Sequence, residues 1–289
     1  MKKIGVLPNI DKDINLEYTK SIVSWLLEKE CTPLAMQNFK EALVGCEYFE
    51  NMHDLCKESD FVIVLGGDGT LLDKAPTAAL YNKPLIGINL GTLGYLTDVE
   101  KSEGQKALDK VFKGEYIIED RMMLELTIGN SLDNSANVRK LTALNDVYMI
   151  RGTMSKMITA DIRVNSQYID TYKADGIIIS SASGSTAYNV SAGGPIAKPD
   201  LDIMLVTPIC PHKIYSRPSI VSGNDIITVG LENNSSEEVI ISIDGKNIGN
   251  LKNSDILNIT KSEYHTSIMR TSNLGFYDIL RNKFATSRR

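Results

Sequence analysis

An aspartate set among glycines is the first feature of this sequence that suggests chemistry. Gly66-Gly67-Asp68-Gly69-Thr70 follows the apolar run Phe61–Leu65 and precedes a helix-like segment, Leu71 to Leu80. Glycines allow positive φ and a close approach of ligand to backbone. The main-chain N–H groups of such a bend, at the start of a helix, suit phosphate oxygens. A carboxylate repels phosphate. Asp68 makes sense there as acceptor of a proton from an attacking hydroxyl, or as a helper in holding Mg2+. In a plain strand-to-helix turn it would be a cap. There is no G-x-x-x-x-G-K-[ST], no third glycine to complete G-x-G-x-x-G, and no G-x-S-x-G. Walker-type, dinucleotide-fingerprint and nucleophile-elbow chemistry are therefore not indicated.

Two further segments carry the same texture. Gly87-Ile88-Asn89-Leu90-Gly91-Thr92-Leu93-Gly94-Tyr95-Leu96-Thr97 leaves the next apolar run, and Gly91 and Gly94 are turn or ligand-facing glycines. Asp175-Gly176 leads through Ile177-Ile178-Ile179 into Ser180-Ser181-Ala182-Ser183-Gly184-Ser185-Thr186-Ala187-Tyr188, then Ser191-Ala192-Gly193-Gly194-Pro195. A loop dense in hydroxyls and amides suits a polyhydroxylated, phosphate-bearing ligand. Tyr188 would pack on a nucleobase or fill core.

The elements that must position these segments divide the chain. Lys3–Leu7, Phe61–Leu65 and Leu85–Asn89 are short apolar runs, of the kind that form strands buried on both faces. Between them, Asp13 heads a helix with Tyr18, Ile22, Trp25 and Leu26 at helical spacing, and Leu71–Leu80 reads as a helix despite Pro76. A β-α-β-α-β order predicts a parallel sheet flanked by helices, with its loops at one carboxyl edge. Lys101–Phe112 reads as a surface helix with Ala107, Leu108, Val111 and Phe112 as its apolar stripe. Past about residue 115 the pattern turns to alternation, as in Leu124–Ile128 and Ile158–Val164. Turn signals at Gly129-Asn130, Gly223-Asn224, Asn233-Asn234 and Asp244-Gly245 punctuate an antiparallel all-β unit. A closing helix around Tyr277, Ile279 and Leu280 is expected after Arg270.

In combination these segments resemble the NAD kinase family. Gly66–Thr70 reads G-G-D-G-T, and Gly87–Thr97 reads G-x-N-x-G-x-L-G-[FY]-L-T. Asn145-Asp146 stands where that family usually has Asn-Glu, and Asp175-Gly176 with Gly184–Tyr188 reads D-G and G-S-T-A-Y. Ser191–Pro195, Thr207-Pro208-Ile209 with Pro211-His212, Arg217-Pro218 and Asp244-Gly245 follow in the same order, so the resemblance runs from about residue 60 to 245. G-G-D-G-T alone is shared with diacylglycerol kinases and, more loosely, phosphofructokinases; the other segments make the match specific.

The resemblance implies an α/β amino-terminal domain with a parallel sheet over residues 1–98, to which the tail 270–289 returns. It implies an all-β, β-sandwich-like carboxy-terminal domain over 99–269, the arrangement of NAD kinase and diacylglycerol kinase folds. The reaction it implies is Mg-dependent transfer of the γ-phosphoryl group of ATP to the 2′-hydroxyl of the adenosine ribose of NAD, making NADP. The divalent metal would be held mainly by substrate phosphates. A cytoplasmic homodimer or homotetramer is implied, with active sites between domains that borrow residues from a neighbour. Asp68 would be catalytic, and Gly66, Gly67, Gly69 and Thr70 would hold phosphates. Asn145 and Asp146 would bind the adenosine half of NAD. Ser183, Thr186, Ala187 and Tyr188 would line the dinucleotide pocket, and Asp175 would face the nicotinamide end. Lys173, where many members carry Arg, would reach a phosphate of ATP or of the neighbouring subunit's NAD. Three other positions depart from the pattern: Asp146 is a methylene shorter than Glu, Ser181-Ala182-Ser183 replaces T-P-T, and Tyr95 replaces a common Phe.

Composition agrees with a folded protein of about two domains at ~150 residues each. The 289 residues include 43% hydrophobic and 23% charged side chains, and 31 basic against 36 acidic groups give a net charge of −5. A negative chain has no footprint for duplex nucleic acid or anionic membranes. The longest uncharged stretch, Gly176–Ala197, is too rich in Ser, Gly, Thr and Asn to face lipid, and the apolar run after Lys3 stops too soon for a signal segment. Cys31, Cys46, Cys56 and Cys210 lack metal-ligand spacing with His53, His212 or His265, and read as thiols in a reducing cytoplasm. Two rivals remain on these grounds. A lipid kinase sharing G-G-D-G-T would need a membrane-facing patch, and none is visible. A catalytically dead dinucleotide sensor would have no use for an unpaired Asp68.

Overall fold

The computed structural model describes residues 1–130, 139–153, 156–231, 238–252, 254–272 and 274–286. They form two compact units: Met1–Asp120 with Tyr264–Arg289, and Arg121–Glu263. The first unit thus extends further than residue 98. The reason is the helix Gly104–Lys113, whose Ala107, Leu108 and Val111 belong to the same core as Ile4, Ile63 and Ile88.

In the first unit, β1 (Lys3–Pro8), α1 (Glu17–Glu28), β2 (Thr32–Met36), β3 (Glu47–Phe49), α2 (Met52–Glu58), β4 (Phe61–Gly66), α3 (Asp68–Leu80), β5 (Leu85–Asn89), β6 (Val99–Glu100) and α4 (Gly104–Lys113) follow one another. Asp13 is not at the N-cap position of α1, which Leu16 takes after the 3-10 turn Ile14–Leu16, but its buried carboxylate still accepts N–H groups of the first helical turn, those of Tyr18 (3.0 Å) and Thr19 (2.8 Å). The helix α3 runs unbroken through Pro76. Absent from the sequence reading are β2, which contains Pro33, β3, a three-residue strand, and the short α2. The strand order is β3-β2-β1-β4-β5, parallel at every step. Alternation sends Ile4, Val6, Ile63, Leu65, Ile86 and Ile88 to one face, under Ile22, Trp25 and Leu26 of α1 and the apolar stripe of α4. On the other face Gly5 lies against Leu55 of α2, and Gly87 against Leu71 of α3.

That strand order matters for function. From β1 the chain passes through α1 to β2 on one side; from β4 it passes through α3 to β5 on the other. The loops after β1 and β4 therefore part at their carboxyl ends, which leaves a crevice of the kind where open α/β sheets bind ligands. The fingerprint of the dinucleotide-binding fold is missing from the sequence, yet its strand order is present.

The second unit contains β7 (Ile117–Asn130, entering from the first unit), β8 (Arg139–Ala143), β9 (Asp146–Arg151), β10 (Ile158–Val164), β11 (Gln167–Ala174), β12 (Gly176–Ser181), the one-turn α5 (Tyr188–Ser191), β13 (Ile203–Ile209), β14 (Ser219–Ser222), β15 (Ile227–Leu231), β16 (Val239–Ile243) and β17 (Lys246–Leu251). One sheet has the order β14-β13-β12-β9-β16-β17 and is antiparallel throughout. The other runs β11-β10-β15 into the strand Asp255–Arg270, which β7 also joins, with β8 beside it. Val147, Met149, Ile177, Ile179, Met204 and Val206 from the first sheet share one core with Ile158, Ala160, Val229 and Leu257 from the second. This is the expected sandwich. Period-two alternation then turns Asp146, Tyr148, Ile178, Ser180 and Thr207 to the opposite face, where they stand in register.

Asp244-Gly245 forms a two-residue hairpin turn between β16 and β17, with φ of +49° and +80°. Gly223-Asn224 lies in the turn after β14. No turn falls at Gly129-Asn130, because β7 continues through Asn130. Asn233-Asn234 lies outside the described residues. The strand Asp255–Arg270 returns the chain to the first unit, where Ile268 pairs with Leu85, and the closing helix spans Phe276–Thr286.

Candidate active site

The glycine loop sits in the first unit at the end of β4. None of Gly66, Gly67 and Gly69 has positive φ, and Gly67 is extended (φ −142°, ψ −171°). The expectation of left-handed backbone is corrected: space is what glycine supplies here. A Cβ at Gly66 would stand 2.4 Å from Thr70 Oγ1. Gly67 N–H donates to Thr70 Oγ1 (3.4 Å), and the N–H groups of Thr70 and Leu71 return to the Gly67 carbonyl (2.9 and 3.1 Å). Helix geometry then leaves the amides of Asp68 and Gly69 available at the N-terminus of α3.

Asp68 does not cap its own helix. Its Oδ2 accepts Tyr95 N–H (2.7 Å), while Oδ1 accepts Leu96 N–H (3.1 Å), Thr97 N–H (3.0 Å) and the Thr97 hydroxyl (2.9 Å). Gly94 is the glycine this contact requires, since a Cβ there would lie 1.7 Å from Asp68 Oδ1. Asn89 shapes the approach by donating to Thr92 O (2.8 Å) and Thr97 Oγ1 (2.7 Å) and accepting Gly91 N–H (2.8 Å). The same backbone is held from the other side by Arg270. Its guanidinium donates to the carbonyls of Tyr95 (2.9 Å) and Leu96 (3.1 Å) and pairs with Asp98 and Glu119. Asp68 is well partnered, so a pure binder would also have a use for it.

Lys12, in the loop after β1, places its ammonium over this cluster, and a cavity of about 550 Å3 opens at the carboxyl ends of β1, β2 and β3. Leu7, Pro8, Met36, Phe39, Glu50 and Lys74 contribute to its wall.

The remaining predicted residues lie in the second unit. Asp244, at its hairpin turn, accepts the N–H groups of Leu144 (2.8 Å), Asn145 (2.8 Å) and Asp146 (3.1 Å). The Asn145 carbonyl in turn accepts Ser181 N–H (2.8 Å), and Gly184 packs so closely that a Cβ would stand 2.1 Å from that oxygen. Asn145-Asp146 and the Ser181–Tyr188 loop are thus one assembly. Asp146 is only 3% exposed; burial and the Asp244 charge push its carboxyl up to about 7. Burial pushes Asp244 up too, but three amides stabilise its charge, so Asp146 is the member of the pair that takes the proton.

Ser183 and Thr186 lie in a single 3-10 turn, and Ser183 accepts from the buried Arg121 (Nη1 to Oγ, 3.2 Å). Ala187 precedes α5, and the Tyr188 ring meets Tyr148 edge-on at 5.0 Å. Buried Asn189 ties Ser185, Pro195 and Thr207 together. Asp175 pairs with Arg151 (2.7 Å), and exposed Lys173 sits on β11 opposite Thr159. Lys12, Arg121 and Arg270 were missed by the sequence reading, because each is remote in sequence from the segment it serves. Among the described residues no group of three or more His, Cys, Asp or Glu side chains is arranged to hold a metal, and no helix is long and apolar enough to cross a membrane.

Comparison with known proteins bears on both units. The family model described as ATP-NAD kinase N-terminal domain matches residues 4–116, and the ATP-NAD kinase C-terminal domain matches 144–271. An NAD kinase of Thermoanaerobacter sp. (strain X514) is 44% identical over 283 residues, covering 98% of this chain and 99% of its own. One from Caldanaerobacter subterraneus subsp. tengcongensis is 42% identical over 284 residues, covering 98% and 99%. Yeast NADH kinase, solved in complex with NADH, shares the fold with TM-score 0.86 at 22% identity, over 97% of this chain and 86% of that one. The NAD kinase of Archaeoglobus fulgidus, solved in complex with ATP, aligns with TM-score 0.72 at 26% identity, over 99% and 98%. With both halves matched and relatives this similar over nearly its whole length, the chain belongs to the NAD kinase family, kinases whose phosphoryl acceptor is NAD.

Proposed function

We propose that the chain transfers the γ-phosphoryl group of ATP to the 2′-hydroxyl of the adenosine ribose of NAD, making NADP. The observation that carries this reading is the hold on Asp68. Oδ1 takes three donors and Oδ2 one, which leaves Oδ2 the oxygen with capacity for a substrate hydroxyl. Phosphoryl transfer asks mainly for positioning and charge stabilisation, so an oriented carboxylate that takes up the hydroxyl's proton suffices.

In this reading the phosphates of ATP lie against the turn of Gly66, Gly67, Gly69 and Thr70, where the free amides are those of Asp68 and Gly69, and its nucleoside takes the cavity beside Pro8, which is of ordinary ligand size. Asn145 and Asp146 bind the adenosine half of NAD. Ser183, Thr186, Ala187 and Tyr188 line the dinucleotide's path, Asp175 with its partner Arg151 faces the nicotinamide end, and Lys173 reaches a phosphate. Mg2+ would come with the phosphates and be held mainly by their oxygens; when bound it would neutralise charge on the transferring group. Assembly as a homodimer or homotetramer and a cytoplasmic location go with the same reading.

The test is incubation of the purified protein with Mg-ATP and NAD and an NADP-specific readout. Asp68→Asn should lose about two orders of magnitude or more in turnover while NAD still binds, both read well below an unfolding midpoint that should itself fall, because an amide nitrogen replaces one oxygen that accepts backbone N–H groups. Wild-type-like turnover in that variant removes Asp68 from the mechanism, and NADP formation by the wild type separates a kinase from a dinucleotide sensor. Unchanged apparent affinity for both substrates in Lys173→Ala would end the role given to Lys173.

A further inference from the structure

We propose that Lys12 is a further phosphate-binding residue of this site, contacting the β- and γ-phosphates of the donor; the inference rests on the reading that those phosphates lie on the glycine loop. Its backbone is built into the place where the loops after β1 and β4 part. Asn9 N–H donates to Leu65 O of β4 (2.7 Å), and Asn9 Nδ2 donates to Thr70 Oγ1 (2.8 Å). The Asn9 carboxamide oxygen then accepts the N–H groups of Asp11 (3.0 Å) and Lys12 (3.2 Å), closing a tight turn. On the other flank Asp13 is pinned by Tyr18 and Thr19.

From that turn the side chain crosses to the glycines. Nζ stands 2.8 Å from where a Cβ of Gly67 would be and 3.9 Å from where a Cβ of Gly91 would be. The ammonium therefore fills the space that two glycine loops leave open. Among the described residues it makes no hydrogen bond and no ion pair. Neither Asp68, oriented by residues 95–97, nor Asp13, which holds α1, pairs with it.

Charge balance gives the ammonium its task. Residues 66–70 and 87–97 contain one carboxylate and neither Lys nor Arg. Of the groups these two segments offer, backbone amides alone would face a triphosphate, and its charge exceeds what one divalent ion arriving with it would neutralise, which calls for a cation from the protein. Lys12 supplies it as a mobile point charge, suited to following a phosphoryl group from donor to acceptor. No motif marks the residue, because it lies some fifty positions before Gly66 and only the strand order brings it there.

The test is equilibrium titration of wild type, Lys12→Ala and Lys12→Arg with ATP, ADP and AMP, alongside steady-state NADP formation. Lys12→Ala should bind ATP about 10- to 100-fold more weakly, the size of one charge-assisted contact. ADP should suffer less and AMP little, the affinity for NAD and the unfolding midpoint should hold, and Lys12→Arg should restore most of the loss. Equal affinity of wild type and Lys12→Ala for ATP overturns the proposal, as does a loss that is the same for AMP as for ATP. If the wild type binds ATP but makes no NADP, the proposed reaction fails and the titration still decides Lys12. A wild type that binds no ATP overturns both.

Discussion

Replacing Asp146 by Asn should remove a pH dependence from the stability of this protein. Asp146 begins β9 on the outer face of the sandwich, 3% exposed, close to the Asp244 carboxylate at the hairpin turn. Burial and that charge raise its carboxyl from 3.8 to about 7. The folded state therefore binds more protons than the unfolded chain between those values. Stability is complete at pH below the unfolded value and falls as pH rises through the folded one. About three units at 1.36 kcal/mol each set a ceiling of about 4 kcal/mol on the loss. Asparagine keeps the shape and carries no titratable proton, so Asp146→Asn should give a flatter profile. The assay is urea unfolding of both proteins by circular dichroism at constant ionic strength, from about pH 5 to about pH 8. The wild-type midpoint should drop across the range relative to the variant. Midpoints that move in parallel would refute the assignment of the proton to Asp146.

Other expectations follow from single contacts. Gly69→Ala meets no atom within 4 Å and lies in the first turn of α3, so it should be neutral or stabilising by up to ~1 kcal/mol in thermal unfolding. It should nonetheless weaken ATP binding if the phosphates lie on that turn; unchanged ATP affinity would move them elsewhere. Gly94→Ala puts a carbon 1.7 Å from Asp68 Oδ1 and should lower NADP formation at least as much as Asp68→Asn. Asp244→Ala strips the acceptor from three backbone amides, and at about 1–3 kcal/mol per stranded buried donor it should unfold at clearly lower denaturant concentration. An Asp244→Asn variant, which keeps one acceptor oxygen and tolerates positive φ, should fall between it and the wild type.

What could be read from the chain were features whose signal is local. Phe61–Leu65 and Leu85–Asn89 announce buried parallel strands because both faces need apolar side chains, and both strands fall where expected. Ile158–Val164 announces a half-buried strand through alternation alone. The Gly66–Thr70, Gly87–Thr97 and Gly184–Tyr188 segments are recognisable because each packs its small residues into a few consecutive positions. Weak elements were missed for the complementary reason. β3 is three residues long, β2 contains a proline, and neither repeats a period often enough to show.

The sequence by itself thus determined the fold class, the family resemblance and which short segments hold polar chemistry. Tertiary structure alone decided how those segments are aimed. Asp68 points where it does because of amides 27 to 29 positions away, those amides are steadied by Arg270 through their neighbouring carbonyls, and Asn145-Asp146 is set by Asp244 about a hundred positions on. The donors and acceptors in these contacts are largely main-chain N–H and C=O groups. Almost every residue carries the same pair, so no residue type betrays them, and only the path of the folded chain selects which ones meet a side chain.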